Sequence, residues 1–233
     1  NMGRHHMHAI NAAGMQVVAA CDIDPVRVAS AKDDFPGIST YTSIEELLQD
    51  PKVDLCIVIL PHNLHASVAI QCAEAGKHVV VEKPMCTSVA EADAMVEAAA
   101  KAGKMLSVFH NRRWDGDFVT IREFIQQGMI GEVFHIEACM GGLHAPGTWW
   151  RSDKKLSGGA MFDWGAHIVD WVFHLLPESM AGVDGFYHKR RWHQVTNEDH
   201  TELVIRFEGG QTAQVEIAAL AAVGKARSRI LGT

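Results

Sequence analysis

The first half of the chain repeats one pattern of hydrophobic and polar positions. Short, almost wholly apolar runs alternate with longer stretches in which alanine and other apolar residues recur at helical spacing. A short continuous apolar run is typical of a parallel strand that is buried on both faces. We predict four such strands, at Met15–Cys21, Val53–Leu60, His78–Glu82 and Met105–Phe109. Strands that alternate with helices predict a doubly wound parallel sheet.

The pattern changes near residue 107. After one more helix, at 115–127, longer strand-like segments follow each other through short turns, with one helix at Phe162–Leu175 between them. We predict these strands at Glu132–Met140, Gly182–Arg191, Thr201–Phe207 and Thr212–Leu220. The run Glu208–Gln211 has the glycines of a hairpin turn. The sequence therefore predicts two domains, 1–106 with the parallel sheet and 107–233 of α+β type with a mostly antiparallel sheet.

Both ends of the chain look interrupted. It opens with Asn1, Met2 and a predicted helix, without a preceding strand, and it stops at Thr233 inside another predicted strand. A parallel sheet that begins with a helix lacks its central strand. We expect further residues of the first domain before this sequence and further residues of the second domain after it.

Composition and charge exclude several classes of protein. The 233 residues are 48% hydrophobic and 21% charged, which is ordinary for a globular protein. The net charge of −7 argues against a nucleic-acid binder, because affinity for phosphates needs a surplus of Lys and Arg. The basic run His188–Arg191 is interpreted as a solvated strand end. No apolar run has the length of a membrane span, and no signal peptide is visible.

Cysteine usage points to the compartment. The five cysteines are odd in number and form no Cys-x-x-Cys pair, and Cys21 and Cys56 lie inside apolar runs where a thiol packs as a small hydrophobe. A reducing compartment is the simplest interpretation. We expect a cytoplasmic protein.

The amino-terminal helix has the features of a dinucleotide site. In such folds the start of the first helix faces a pyrophosphate, and an acidic residue about 20 positions further on binds the ribose hydroxyls. Met2 and Gly3 are the expected contacts at the helix start, and Asp22 is the acidic residue; its other interpretation is the start of a turn. A carboxylate repels a 2′-phosphate, so NAD is favoured over NADP, although Arg27 lies nearby.

Two more segments are predicted at the carboxyl edge of the sheet, where ligands bind in this class of fold. Pro61, Asn63 and His65 follow one buried strand and could contact the cofactor, or could simply form a helix cap with surface histidines. Glu82 and Lys83 close the next strand. A lysine that is partly kept from water binds its proton less tightly, which suits acid–base chemistry on a carbinol. An ion pair with a carboxylate is the structural alternative for Lys83.

Asp163 and His167 are four residues apart in the predicted helix at 162–175, so they share a helix face. Asp170 and His174 continue that stripe. A histidine whose second nitrogen is held by a carboxylate shuttles protons near neutral pH. By itself, the pattern is more typical of an amphipathic helix with a solvated acidic face. A metal site is not predicted: His5, His6 and His8 have no carboxylate or thiol partner in sequence, and the remaining histidines are scattered.

The chain resembles the glucose–fructose oxidoreductase / inositol dehydrogenase / MocA family. The run Gly76–Pro84, with Pro61–His65 before it and Gly158–His167 after it, carries the resemblance. Further matches are Asn111–Trp114, Gly128–Glu132 and Trp150–Arg151. They cover residues 3 to about 175 in the expected order; the missing leading strand with its two glycines is the departure.

The resemblance implies a Rossmann domain that binds NAD or, less readily, NADP, and a second domain whose open sheet makes a homodimer or homotetramer. It implies that Lys83, Asp163 and His167 are catalytic, with His167 exchanging the hydroxyl proton of a sugar or polyol and Asp163 assisting it. It also implies that Trp150 and Arg151 lie near the nicotinamide or the substrate.

Asn111 is expected at the pocket rim. Two other functions stay open: a dinucleotide-sensing regulator without turnover, and a reductase of an imine, an enone or a xenobiotic diol. A regulator would be expected to lose Lys83 or the Asp163–His167 pair, and this chain keeps all three.

Overall fold

The structure, a computed structural model, describes residues 2–233. They divide into two compact units. The first holds the described residues up to Leu60 together with Leu64–Phe109, and the second holds Pro61–Asn63 and His110–Thr233. Each unit has its own hydrophobic core.

The first unit alternates helices with short strands, and a 3-10 helix at His62–Leu64 precedes its fourth α-helix. Its elements are α1 (Met2–Ala12), β1 (Ala19–Cys21), α2 (Pro25–Asp34), β2 (Ser39–Tyr41), α3 (Ile44–Leu48), β3 (Leu55–Val58), α4 (His65–Glu74), β4 (His78–Glu82), α5 (Val89–Ala102) and β5 (Leu106–Phe109).

The strands of this unit are all parallel, as predicted, and they form two sheets. One has the order β1-β2 and the other β3-β4-β5. Val79 and Val81, which share one face of β4, are wholly buried, whereas His78 and Val80 on the other face are partly buried. Residues of β1 and β2 pack against the same hydrophobic core as β3 and β4. The α/β Rossmann-type class predicted for this half is confirmed.

Local sequence explains where the helices begin and end. The Asp24 side chain accepts the N–H of Val26 and precedes Pro25 at the first helical position. Ser88 and Glu91 form a reciprocal capping box at the start of α5. Gly103 ends that helix in the left-handed conformation, with φ of 62°, which costs glycine nothing. These interactions determine where α2 and α5 begin and where α5 ends.

The second unit contains three α-helices and one five-stranded sheet. Its elements are α6 (Gly116–Gln126), β6 (Val133–Gly141), α7 (Lys154–Ser157), α8 (Ala166–Leu175), β7 (Met180–His188), β8 (His200–Phe207), β9 (Thr212–Ala218) and β10 (Ser228–Gly232). Short 3-10 helices cover Asn111–Trp114 and Trp150–Ser152, and a π-helical turn covers Met161–Gly165.

The sheet has the order β10-β6-β9-β8-β7, and only the β6–β9 pair is parallel. The mostly antiparallel sheet is therefore confirmed. The turn predicted at Glu208–Gln211 joins β8 to β9, with Gly210 at φ 87°. Helix α8 covers one face of the sheet through Ile168, Trp171 and Val172, which pack with Phe118 of α6 in the core.

Two expectations for the second half need correction. The helix predicted at Phe162–Leu175 begins as a π-helical turn and becomes α-helical only at Ala166. The run His188–Arg191 is more than a solvated strand end. The Lys189 ammonium lies 3.0 Å from Oδ1 of the fully buried Asp199, whose other oxygen accepts the backbone N–H groups of Arg190 and Arg191. A buried carboxylate needs such donors, and this loop supplies them.

Candidate active site

Lys83 follows directly on β4, and Glu82 fixes the backbone at that point. The Lys83 N–H donates to Glu82 Oε2 at 3.1 Å, and Glu82 Oε1 lies 2.7 Å from Nε2 of His6. Both His6 and Glu82 are buried. Burial acts to raise the pKa of Glu82, but the hydrogen bonds from His6 and from the Lys83 N–H, with the attraction to these two residues, together outweigh it, so the pKa lies below its usual value. His6 has no carboxylate partner nearby in sequence, and Glu82, its partner in the structure, is 76 residues away.

His65 contacts the residue that follows Lys83 in the chain. Its Nδ1 lies 2.7 Å from the carbonyl oxygen of Pro84 and its Nε2 lies 2.9 Å from that of Leu60. The ring is fully buried. Burial lowers the pKa of His65, although two carbonyl acceptors favour the protonated ring. These contacts join Leu60, in the segment between β3 and α4, to Pro84, the residue after Lys83.

Asp22 lies at the end of β1, where the dinucleotide prediction places it. Its Oδ1 accepts the N–H of Asp24 at 3.0 Å, and its Oδ2 lies 3.3 Å from NH1 of Arg27. The Arg27 side chain is largely exposed. A carboxylate and a guanidinium therefore stand side by side in the turn between β1 and α2. Met2 and Gly3 begin α1.

In the second unit, a charged and aromatic cluster surrounds Arg151. The Arg151 guanidinium donates to Asp163 Oδ1 at 2.8 Å and lies 4.6 Å above the ring of Trp150. The His62 ring meets the Trp150 ring edge-on, with 4.9 Å between centroids. His62 is itself buried and its Nδ1 lies 2.7 Å from the carbonyl oxygen of Ser157. The cluster is preorganised by stacking and by hydrogen bonds.

His167 is buried in the first turn of α8, four residues after Asp163 in the π-helical turn. Its ring makes edge contacts with Trp164, at 5.7 Å between centroids, and with His110, at 6.2 Å. Because the π-helical turn is wider than an α-helical one, the spacing rule for a regular helix does not give the orientation of Asp163. Pi-helical turns are frequent at functional sites.

Sequence reasoning missed the residues that hold Asp170. Arg113 binds both its oxygens, at 2.8 Å from Nε and 2.6 Å from NH2. His110 and His174 each place a ring nitrogen 3.8 Å from the same carboxylate. Burial acts to raise the pKa of Asp170, but the hydrogen bond from Arg113 and the attraction to Arg113, His110 and His174 together lower it below its usual value. His110 directly follows β5, and this position at a strand end was the signal available for it.

The residues predicted for the site are distributed over both units. Lys83, Glu82, Asp22, His65, Met2 and Gly3 lie in the first, and Pro61, Asn63, Asn111, Trp150, Arg151, Asp163 and His167 lie in the second. In the second unit, the structure brings Trp150, Arg151 and Asp163 together. Asn111 is exposed at the start of its 3-10 helix.

Within residues 2–233, no three His, Cys, Asp or Glu side chains are grouped so that they could hold a metal ion. None of the helices over that range is long and apolar enough to cross a membrane.

Comparison with known proteins places both halves of the chain. Residues 1–110 match the model of the oxidoreductase family with an NAD-binding Rossmann fold, and residues 118–233 match the GFO/IDH/MocA C-terminal domain. A solved NAD-binding protein from Listeria innocua superposes with a TM-score of 0.92 and 34% identity, over 100% of this chain and 68% of that one.

Two curated relatives are similar over a large part of this chain. The scyllo-inositol 2-dehydrogenase (NADP(+)) IolW of Bacillus subtilis is 37% identical over 151 residues, 64% of this chain and 42% of that protein. The 1-carboxy-3-chloro-3,4-dihydroxycyclo hexa-1,5-diene dehydrogenase of Comamonas testosteroni is 33% identical over 204 residues, 86% of this chain and 51% of that protein. The chain thus spans about half the length of these relatives. It belongs to the glucose–fructose oxidoreductase / inositol dehydrogenase / MocA family of oxidoreductases.

Proposed function

We propose that the protein is an NAD(P)-dependent dehydrogenase that transfers a hydride between nicotinamide and the CH–OH or C=O carbon of a sugar, inositol or related polyol. The observation that carries the proposal is the placement of Lys83 directly after the carboxyl end of β4, the middle strand of a parallel sheet, at the edge where this fold binds dinucleotides. The two curated relatives support the substrate class, since the names of both describe a six-membered ring with hydroxyl groups.

The residues present fit a dinucleotide. Asn63 Oδ1 is buried without a hydrogen-bond partner among the described residues, and a ribose hydroxyl or the nicotinamide carboxamide would supply the missing donor. Asp22 offers a carboxylate to ribose hydroxyls, and the start of α1 at Met2 and Gly3 offers backbone N–H groups to the pyrophosphate. We assign cofactor contacts also to Pro61, Glu82, Trp150 and Arg151, and to His65 a bracing role beneath them.

We assign the protein's part in the reaction as follows. The dinucleotide, when bound, accepts or supplies the hydride. In the oxidative direction His167 takes the hydroxyl proton as the C–H bond breaks, and Lys83 stabilises the charge that develops on the oxygen. Asp163 and Arg151 orient the substrate hydroxyls, with Asn111 at the pocket rim. In the reductive direction the same groups return the proton.

NAD is the dinucleotide that we propose, because the Asp22 carboxylate repels a 2′-phosphate. Arg27, 3.3 Å from that carboxylate, reduces this preference, and the name of the Bacillus subtilis relative specifies NADP(+). The proposal is therefore a preference between two dinucleotides, and the balance rests on one charge pair.

We propose a homodimer or homotetramer formed through the sheet of the second unit. Strand β7 lies at the edge of that sheet, and Met180, Val183, Phe186 and Tyr187 on it are about half exposed. An exposed apolar edge strand is typical of an interface. Light scattering of the purified protein tests the assembly. We also propose a cytoplasmic location, which the unpaired cysteines support.

The deciding experiment is a titration of the full-length protein with NADH and NADPH, followed by a screen of inositols, aldoses and their lactones by absorbance of the reduced cofactor. Lys83→Met should bind the dinucleotide but lose about 100-fold or more in turnover. Lys101→Met, on the exposed side of α5, is the matched control. Dinucleotide binding without turnover of any substrate would favour a sensing regulator. An unchanged rate in Lys83→Met would remove Lys83 from the mechanism.

A further inference from the structure

Two buried histidines contact the neighbours of Lys83 in the chain without belonging to the proposed reaction. His6, from α1, reaches the end of β4 through Glu82, and His65, from α4, reaches the carbonyl oxygen of Pro84. The first is 3% exposed and the second 0%. Lys83 is the residue between these two anchor points. Two buried imidazoles and a buried carboxylate therefore hold one short peptide segment.

The carboxylate of Glu82 links two elements. Oε1 accepts from His6 Nε2, and Oε2 accepts the N–H of Lys83 at 3.1 Å. The His6 ring also packs on Phe109, with 4.6 Å between centroids, and Phe109 is the residue that pairs with Glu82 in the sheet. The helix that is proposed to face the pyrophosphate is thus tied directly to the strand end that carries the proposed acid–base group.

We propose that His6 and Glu82 are positioning residues for Lys83, and that His65 fixes Pro84, the residue that follows Lys83. The proposal rests on the proposed function only for the role of Lys83. A buried carboxylate that holds two donors defines the backbone direction at residue 83 and hence the direction in which the ammonium leaves the sheet. A displacement of about 1 Å at a reacting group costs on the order of 100-fold in rate.

Conservative variants separate hydrogen bonding from charge. In Glu82→Gln, the amide oxygen can accept the Lys83 N–H, and the amide NH₂ can donate to His6 in its other tautomer. In Glu82→Ala both bonds are lost. His6→Gln keeps a donor of similar reach, and His6→Ala removes it. His5→Ala, one residue away on the exposed face of α1, is the matched control.

The experiment has a readout that does not depend on turnover. Reductive methylation with ¹³C-formaldehyde labels the lysines of the full chain, and the Lys83 resonance is assigned by its absence in Lys83→Met. We expect His6→Ala and Glu82→Ala to move this resonance toward those of exposed lysines, and the two Gln variants and His5→Ala to leave it in place. In kinetics, the Ala variants should lose about 10-fold to 100-fold in kcat. The polyol KM of both Ala variants should stay within about 3-fold, and so should the NADH Kd of His6→Ala, which removes no proposed cofactor contact.

Three results would overturn the proposal. One is an unmoved Lys83 resonance in His6→Ala and Glu82→Ala. The second is a loss of kcat that is accompanied by proportional losses in KM and Kd and is not restored in the Gln variants, since that is the behaviour of a purely structural pair. The third is an equal effect of His5→Ala. If the unmodified protein turns over no polyol, the proposed function fails, and the resonance alone decides the positioning role.

Discussion

The guanidinium of Arg151 donates a hydrogen bond to the carboxylate of Asp163 at 2.8 Å while it lies over the ring of Trp150. Both charged side chains are about one quarter to one third exposed. One carboxylate oxygen of Asp163 is therefore held by the guanidinium. Stacking fixes the plane of the guanidinium, so the pair presents its polar atoms in one arrangement.

Arg151→Lys should raise the KM of the polyol about 10-fold, because lysine has neither the planar fork nor the stacking of arginine. Asp163→Asn should lower kcat as well as raise KM, since it removes the charge beside the proposed proton shuttle. Initial rates over a range of polyol concentrations measure both effects. Arg122→Lys, which alters a guanidinium near Phe118 in α6, is the control. An Arg151→Lys enzyme with unchanged KM would contradict the assignment.

Asp22→Ala should shift the ratio of kcat/KM for NADPH over NADH upward by about 10-fold, because it removes one negative charge from the turn after β1. Arg27→Ala should shift the same ratio downward. Each variant is compared with the unmodified protein at fixed ionic strength, since the interaction is screened by salt. Shifts in the same direction for both variants would contradict the charge-pair explanation.

Asp199 makes the stability of the second unit depend on acid pH. Burial acts to raise its pKa, but N–H donors from Arg191 and Arg190 and the ammonium of Lys189 lower the pKa to about 2. A lowered pKa in the folded state contributes stability above the usual value near pH 4, and this contribution is lost as the pH falls toward 2.

Asp199→Asn should therefore lose about 2 kcal/mol of unfolding free energy at pH 7, and its difference from the unmodified protein should shrink between pH 4 and pH 2. Urea unfolding over that pH range measures it. Asp33→Asn, at an exposed position of α2, is the control. A difference in unfolding free energy that does not vary with pH would contradict the role of the Asp199 charge.

Arg113→Ala should destabilise the second unit by about 1–2 kcal/mol, because the Asp170 carboxylate loses a bidentate partner while His110 and His174 remain 3.8 Å away. Urea unfolding at neutral pH tests the prediction. Arg122→Ala provides the comparison, and equal losses in the two variants would contradict it.

Local sequence was sufficient for most of the fold. The predicted strand at His78–Glu82 has the bounds of β4, and the turn at Glu208–Gln211 lies where the structure has it. These features depend on apolar runs and glycines within a few residues. The predicted strand at Met15–Cys21 contains β1 but is longer, because its apolar residues continue beyond the residues that pair with β2.

The site was only partly predictable. Lys83, Asp163 and His167 could be chosen because motifs mark them, whereas the His6–Glu82 contact joins residues 76 positions apart and leaves no periodic signal. The donors to Asp199 are mostly backbone N–H groups, which no residue type reveals. The parallel β6–β9 pair likewise depends on the path of the chain between the strands.

The π-helical turn at Met161–Gly165 makes the position of Asp163 sensitive to chain length. Removing one residue from this turn would allow a regular α-helix to run into α8 with its core residues Ile168 and Val172 undisturbed. Everything before the deletion would rotate by about 100° around the helix axis, the angle of one residue. Asp163 would then face another direction while His167 stayed in place. Insertions and deletions here would therefore change the direction of the Asp163 carboxylate more than most substitutions would.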